Sequence, residues 1–325
     1  MDPITHTLTG LTLSRAGLNR IAPYATPIAL LAANAPDIDV LAAPWGTATY
    51  LHYHRHITHA LIMLPVMAAL AVLMVRPLAR KKRFEWRGAY VIALAAVASH
   101  LLLDWFTAYG SRPLLPFSAR WVSLDIMPMP DLWIWLALLI AWAAPAFSRL
   151  VSSEIGSRPT AGRGWAVFAL AAVSIFTFGR WLAHGRAIEV LNSRLYQGSP
   201  AVRVAAFPSV ANPFAWHGLV DTGDAYLRYE MNLLDEFDPA SARVLHRRSP
   251  DQREGAAVKA ASQTAAFRAF MSFARYPMWS FTPEGDNLRV DAWDVRFGGA
   301  GHRAFLATAL VSPSGRVLDS RFAFK

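Results

Sequence analysis

The sequence predicts an α-helical multi-pass membrane domain over residues 1–184, followed by a small extracytoplasmic α+β domain over residues 185–325. Hydrophobic residues make up 54% of the 325-residue chain and charged residues only 17%, whereas soluble domains carry about 25% charge. The charge deficit lies in the first part of the chain, which contains several long apolar runs. Two domains in different surroundings are therefore expected, each long enough for its own core.

Four to five spanning helices are expected after a short half-helix, because a transmembrane helix needs roughly 20 mostly apolar residues. Ile4–Leu13 is apolar but too short to span, so it is expected to enter the membrane part of the way, packed against protein. A cleaved signal peptide is the alternative, since "LAANA" resembles a cleavage site, and N-terminal sequencing distinguishes the two. The predicted spans are 21–43, 57–75, 88–107, 131–148 and 165–183.

Basic residues orient the predicted helices. Six lie between the second and third apolar runs, and three more lie between the fourth and fifth. Basic loops stay in the cytoplasm, so the C-terminal domain is expected on the outer side of a bacterial inner membrane. These basic loop residues also account for the net charge of +10. A nucleic-acid partner is therefore not needed to explain that charge. The nine residues are Arg76, Arg80, Lys81, Lys82, Arg83, Arg87, Arg149, Arg158 and Arg163.

Short alternating segments in the C-terminal part are typical of half-buried strands. They are "AYLRYEMNL" at 225–233, "LRVDAWDVRF" at 288–297 and "RVLDSRFAF" at 316–324. Residues 251–273 show helical spacing behind a plausible helix start at Asp251. This pattern predicts the α+β domain.

The chain has no cysteine, so a bound metal would need histidine or carboxylate ligands. Ionisable residues at membrane level are costly and often mark function. In the predicted topology, three separate segments bring such residues to the outer face, whereas random placement would scatter them over both faces. The candidate residues are His6, Asp37, Asp39, His54, His59, His100 and Asp104.

His100 and Asp104 give the most specific signal. At positions i and i+4 they lie on one helix face and could offer a nitrogen and an oxygen to one ion, a combination suited to Zn²⁺, Mn²⁺ or iron. One or two divalent ions are expected, zinc first and manganese second, with Asp104 as the candidate bridge between two. A structural hydrogen-bonded pair is the alternative. The predicted metal ligands are His6, His54, His59, His100 and Asp104.

Neighbouring polar residues have predicted catalytic roles. Asp37 is expected to act as a general base or a further ligand with Asp39 supporting it, although both could simply end a helix. Arg55 cannot bind a metal but could bind a phosphate oxygen through two hydrogen bonds. His52 is predicted to be a solvated loop residue, and the role of His56 stays open.

Four motifs in this order resemble the YdjM-like (DUF457) family of inner-membrane proteins, which are described as metal-dependent hydrolases. They are "DPITHTLTG", "NAPDID", "HRHITH" and "HLLLDWFTAYGSRPLLPFS", and the resemblance covers about residues 1–145. The strand-rich tail resembles the outer domain of longer family members.

That family is distantly similar to zinc-dependent phospholipase C. The resemblance implies a ligand order of His6, Asp37, His54 or His59, and then His100 with Asp104. Those enzymes carry a further histidine pair and a glutamate, and no matching motif follows Asp104 in this sequence. The resemblance therefore implies one or two ions rather than three.

We therefore expect a membrane-bound metal-dependent hydrolase of phosphoester bonds, with phospholipid headgroups as possible substrates because the site lies at headgroup depth. The alternative is a non-catalytic membrane protein with a structural metal and a partner-binding outer domain. An open coordination position would indicate the enzyme, and a closed one the structural site. A transporter is disfavoured because the inner halves of the second, third and fourth runs are almost purely apolar. The oligomeric state is not determined by the sequence.

Overall fold

The structure is a computed structural model that describes residues 1–79, 84–155, 162–247, 249–298 and 303–324. Its N-terminal part is helical, and the helices are joined by short 3-10 segments and by a longer loop over residues 106–131. The helices are α1 (Pro3–Ala16), α2 (Ala25–Asn34), α3 (Thr47–Tyr53), α4 (Leu64–Val75), α5 (Trp86–Trp105), α6 (Leu132–Ile155) and α7 (Arg163–Asn192).

Three described segments are long and apolar enough to cross a membrane: Leu61–Ala79, Trp86–Trp105 and Arg163–Asn192. They coincide with three of the five predicted runs. The predicted span at 131–148 corresponds to the apolar stretch Leu132–Phe147 of α6, which is shorter than these three segments. Residues Arg80, Lys81, Lys82, Arg83 and Arg158 of the basic loops lie outside the described residues, so the predicted orientation stays a prediction.

The prediction of one continuous spanning helix at 21–43 is wrong. Helix α2 ends at Asn34 after ten residues, a length of about 15 Å, or half of the hydrocarbon core of a bilayer. An irregular 3-10 segment, Ala35–Trp45, follows it. Pro36 has no N–H to continue the hydrogen bonds of α2, although Ala35 before it keeps helical backbone angles.

Helix α1 is the expected short N-terminal helix, and it packs closely against α2 at Gly10. A Cβ atom on Gly10 would lie 2.7 Å from the Ala29 carbonyl oxygen and 2.8 Å from the Ala33 Cβ. Only glycine permits this approach. The side chain of Asp2 accepts a hydrogen bond from the Thr5 N–H and so caps the first turn of α1.

The C-terminal part contains two four-stranded antiparallel sheets, with strand orders β3-β4-β5-β6 and β10-β9-β8-β7. The three predicted strand segments are β5, β8 and β10, and the predicted helical stretch forms two helices separated at Gln263–Thr264. The elements are β1 (Leu195–Tyr196), β2 (Ser199–Pro200), β3 (Arg203–Pro208), β4 (Ala215–Asp221), β5 (Ala225–Asn232), β6 (Arg243–His246), α8 (Gln252–Ser262), α9 (Ala265–Phe273), β7 (Pro277–Glu284), β8 (Asn287–Asp294), β9 (Leu306–Val311) and β10 (Val317–Ala323).

The two parts of the chain share a hydrophobic core. Leu51 of α3 and Tyr109 of the 106–131 loop belong to the cluster that contains Phe267, Phe270 and the inner residues of the β7–β10 sheet. The Thr47 hydroxyl donates to the Phe322 carbonyl oxygen at the same junction. Helix α3 leads directly into the histidine-rich segment, so the C-terminal part supports that segment from one side.

Candidate metal centre

Three segments that are distant in sequence meet in the helical part. Helix α5 carries His100 and Asp104 one turn apart, and both side chains are fully buried. The 3-10 segment after α2 carries Asp37, and the short turn before α4 carries His59. After the end of α2 at Asn34, the Asp37 carboxylate lies beside His100 of α5.

Four ligand atoms of this cluster lie at nearly equal separations. The Nε2 atoms of His59 and His100 are 3.1 Å apart, and each lies 3.3 Å from the Asp104 Oδ2. The Asp37 Oδ1 lies 3.5 Å from the His59 Nε2 and 3.6 Å from the His100 Nε2. Ligands at about 2.0–2.1 Å from a tetrahedral zinc ion are separated by about 3.3–3.4 Å. The His59, His100 and Asp104 atoms therefore have the mutual spacing of three ligands of a tetrahedral metal ion, and the Asp37 oxygen lies beside both nitrogens.

The outer nitrogens of both imidazole rings are held by hydrogen-bond acceptors. The His100 Nδ1 lies 2.7 Å from the Ala33 carbonyl oxygen, and the His59 Nδ1 lies 3.4 Å from the Asp39 Oδ2. The Ala33 oxygen only accepts, so the His100 Nδ1 carries the proton, and the Asp39 carboxylate favours the same tautomer of His59, whose Nδ1 also lies 3.0 Å from the Thr58 hydroxyl. The two Nε2 lone pairs then point toward each other and toward the Asp104 carboxylate. A divalent cation at the middle of this cluster would interact favourably with all three acceptors.

Buried atoms without partners support the same conclusion. Among the described residues, the Asp104 Oδ2 and both ring nitrogens of His6 are buried with no hydrogen-bond partner. A buried polar atom left unsatisfied costs about 1–3 kcal/mol. A divalent ion would satisfy the Asp104 oxygen together with the two facing nitrogens, so the residues fit the predicted metal.

His6 lies at the edge of the centre. Its ring stacks on His100 with centroids 3.7 Å apart, and its Nε2 lies 3.4 Å from the Asp104 Oδ1. His6, His100 and Asp104 form one possible ligand group, and Asp37, His59 and His100 form another. Both groups contain His100, whose Nδ1 is already bonded to a carbonyl. His100 therefore has one nitrogen to offer, and the two groups describe one centre rather than two.

Positive groups compensate the buried Asp104 carboxylate. The Nη2 atom of Arg55 lies 2.9 Å from the Asp104 Oδ1, and the Met1 ammonium group contacts the same oxygen. The remaining bonds of the Arg55 guanidinium go to the Gly110 and Met1 carbonyl oxygens and to the Thr107 hydroxyl. Arg55 is 2% exposed. This geometry favours charge compensation at Asp104 over the predicted contact with a phosphate.

His54 lies beside the centre and not within its ligand groups. Its Nδ1 is 3.1 Å from the Asp39 Oδ1, and its ring stacks on Tyr50 with centroids 4.7 Å apart. Burial lowers the pKa of the His54 side chain below its usual value. The structure therefore gives His54 a hydrogen-bonded carboxylate partner, and its predicted role as a ligand stays a prediction.

Asp39 holds three groups of the histidine-rich segment. Its carboxylate contacts the ring nitrogens of His54 and His59 and accepts a hydrogen bond of 2.7 Å from the Arg55 N–H. Arg55 takes the left-handed backbone conformation, with φ at +53°. This conformation is costly for a side chain with a Cβ, and the hydrogen bond to Asp39 helps to hold it.

Replacing Asp39 with asparagine is expected to weaken metal binding about 10- to 100-fold, because carboxylates behind a ligating histidine orient it and raise its basicity. Competition with a fluorescent zinc chelator measures the change. Asp131→Asn is the matched control, since Asp131 is also buried but caps α6 through the Trp133 and Ile134 N–H groups. Equal affinities in the two variants would contradict the role assigned to Asp39.

Sequence reasoning missed several contributors. The Ala33 carbonyl oxygen has no sequence signature, because any residue supplies a backbone acceptor. Tyr109 contacts both Arg55 and His54 with its ring, and only its place in the "HLLLDWFTAYGS" motif could have pointed to it. His52 stacks loosely on His56, with ring centroids 5.7 Å apart, and neither belongs to a ligand group among the described residues.

The fold and the cluster define a helical membrane protein with a buried histidine–aspartate centre. The chain belongs to the YdjM inner membrane protein family, whose family model matches residues 1–187. The YfhP C-terminal alpha/beta plait domain matches residues 256–324. These matches confirm the family indicated by the four motifs.

A second similarity extends over most of the chain. The chain is 25% identical over 330 residues to the "Uncharacterized protein YfhP" of Bacillus subtilis (strain 168), a comparison that covers 94% of this chain and 90% of the relative. No solved structure matches the chain.

Proposed function

We propose that this protein is a membrane-bound metal-dependent hydrolase of phosphoester bonds. The observation that carries the proposal is the triangle of ligand atoms on His59, His100 and Asp104, 3.1–3.3 Å apart, with the Asp37 oxygen 3.5–3.6 Å from both nitrogens. Nitrogen and carboxylate ligands in this arrangement suit Zn²⁺. When bound, such an ion supplies Lewis acidity that polarises a phosphoryl oxygen and acidifies water.

Each residue of the centre would have its own role. His59, His100 and Asp104 are buried and would hold the ion, while Arg55 balances the charge of Asp104. Asp37 is the member of the ligand set that water reaches, because its side chain is 22% exposed and the other three are 0% exposed. It can complete the ligand set or receive a proton at its free oxygen.

His54 is the second candidate proton acceptor. The Asp39 carboxylate fixes the proton on the His54 Nδ1 and so leaves the Nε2 lone pair free. This histidine–aspartate arrangement orients the ring in the manner of other general bases. The side chain of His54 is 16% exposed, which is enough for contact with a substrate or a water molecule.

A specific observation also favours a second function, a non-catalytic structural site. With Asp37 as a fourth protein ligand beside His59, His100 and Asp104, the shell around one ion would be closed, and closed shells are typical of structural zinc. In that case the metal would hold α5, the segment after α2 and the histidine-rich turn together. The C-terminal sheets would then be the part that binds a partner on the predicted outer side of the membrane.

Metal analysis and a hydrolysis assay test both functions. We expect purified protein in detergent to contain about one zinc or manganese ion per chain and to hydrolyse bis(p-nitrophenyl) phosphate or a phospholipid. Chelation should abolish hydrolysis, and zinc should restore it. Stoichiometric metal without hydrolysis of any phosphoester would indicate the structural site. Folded protein that binds no divalent metal would contradict both.

A further inference from the structure

A groove beside the candidate metal centre is lined by apolar side chains of the 3-10 segment 35–45, helix α3 and the turn at residue 57. Its volume is about 680 Å³, which is within the usual range of ligand sites, about 300–1,000 Å³. The apolar lining residues are Ile38, Leu41, Ala42, Trp45, Tyr53 and Ile57.

The polar residues of the groove connect it to the centre. Asp39 lines the groove, and its carboxylate lies 3.4 Å from the Nδ1 atom of His59. Thr58 also lines it, and the Thr58 hydroxyl oxygen lies 3.0 Å from the same nitrogen. Asp37, the exposed member of the ligand set, directly precedes the lining residue Ile38. The groove and the partly exposed Asp37 of the centre therefore lie on one stretch of backbone.

The groove is continuous with the apolar surface of a candidate span. Its wall at Ile57 leads to Leu61 and Ile62, which are 45% and 49% exposed at the start of the segment Leu61–Ala79. At its rim, Trp45 is 73% exposed and Tyr53 is 51% exposed. Tryptophan and tyrosine are enriched where proteins cross the membrane–water interface. A groove in this position would lie at the boundary between lipid chains and headgroups.

The charges in the groove do not favour a soluble anion. Among its described lining residues, Asp39 alone carries a charge, and its carboxylate is held by the His54 ring and the Arg55 N–H. No cation is present in that lining to attract a soluble anion. An apolar chain from the neighbouring bilayer is the occupant that matches the surface.

We propose that this groove binds one acyl chain of a bilayer lipid, and that the substrate class of the centre is therefore a phospholipid. The first statement concerns binding alone, whereas the second rests on the proposed hydrolase function. With one chain in the groove, the headgroup phosphate would lie on the side where Asp37 is exposed. Soluble phosphoesters would lack this anchor.

A bulky side chain inside the groove tests the proposal. Ala42→Trp would fill the groove, whereas Ala43→Trp adds the same bulk at the next residue, which is exposed and outside the lining. The full-length protein is released from detergent that contains phosphatidylethanolamine and phosphatidylglycerol, and native mass spectrometry measures bound lipid. We expect the wild type and Ala43→Trp to retain one lipid per chain, and Ala42→Trp to lose at least tenfold in occupancy.

Metal content and hydrolysis are measured on the same samples. If the proposal is correct, Ala42→Trp lowers the ratio of phospholipid to bis(p-nitrophenyl) phosphate hydrolysis at least tenfold, and Ala43→Trp leaves this ratio unchanged. Loss of lipid in Ala42→Trp without hydrolysis in any sample supports the acyl-chain site and contradicts the hydrolase. Equal lipid retention in both variants overturns the acyl-chain site, even if hydrolysis persists. A dimer that Ala42→Trp dissociates without loss of lipid also overturns it, because a second copy would then occupy the groove.

Discussion

Replacing Asp104 with asparagine is expected to remove stoichiometric metal and to weaken zinc binding more than about 100-fold, which exceeds the effect of residues behind the ligands. The Asp104 Oδ2 lies 3.3 Å from each of the two histidine Nε2 atoms and would share the ion with them. An amide oxygen carries no charge, so the attraction for a divalent ion falls. Elemental analysis of the purified variant measures the loss.

The effect on folding needs a separate measurement. Removing one member of a buried ion pair costs about 3–5 kcal/mol, and Asp104 pairs with Arg55 and with the Met1 ammonium group. The stabilisation of the folded protein by zinc distinguishes a loss of metal binding from a loss of folding stability. At 1,000 times its dissociation constant, a ligand stabilises the folded state by about 4 kcal/mol. We expect zinc to raise the Tm of the wild type and of the Asp131→Asn control, but not that of Asp104→Asn. A zinc-dependent rise in Asp104→Asn would contradict its assignment as a ligand.

Replacing Tyr109 with alanine is expected to destabilise the protein by about 3–5 kcal/mol and to weaken zinc binding. The Tyr109 ring is 5% exposed. It lies 4.6 Å from the Phe273 ring, and the Arg55 guanidinium lies 4.7 Å from its centroid. The same ring thus joins the C-terminal core to the residue that compensates the charge of Asp104. Alanine at this position would leave a cavity between Phe273 and Arg55.

Tyr109→Phe provides the matched control. The Tyr109 hydroxyl is buried with no hydrogen-bond partner among the described residues, and an unsatisfied hydroxyl costs about 1–3 kcal/mol. The phenylalanine variant should therefore be as stable as the wild type or more stable. Unfolding in denaturant gives the free-energy differences, and zinc titration gives the affinities. If phenylalanine were as damaging as alanine, a hydrogen bond to the hydroxyl, and not ring packing, would be the stabilising contact.

The candidate centre was largely visible in the sequence because its residues are chemically unusual for their surroundings. Ionisable side chains in apolar helices are costly, so His100 and Asp104 were conspicuous, and their spacing placed them on one helix face. The structure brings them together with Asp37 and His59. The prediction that a spanning helix at 21–43 carries Asp37 to the centre is wrong, because α2 ends at Asn34.

Local sequence determined the broad organisation of this protein. Apolar length predicted the membrane segments at α4, α5 and α7, and the two-residue alternation predicted β5, β8 and β10. These features depend on neighbouring residues along the chain, so they can be derived without knowledge of the fold.

Tertiary structure alone decided the roles of individual polar groups. Arg55 faces Asp104 and not solvent, and His54 pairs with Asp39 and lies outside the ligand groups. Both outcomes depend on the turn after α2, on the left-handed backbone of Arg55 and on Tyr109, which the C-terminal core holds in place. A charged side chain takes the partner that compensates its desolvation, and sequence spacing does not show which partner lies within reach. The physical reason is that such contacts join residues as far apart as Asp39, Tyr109 and Phe273.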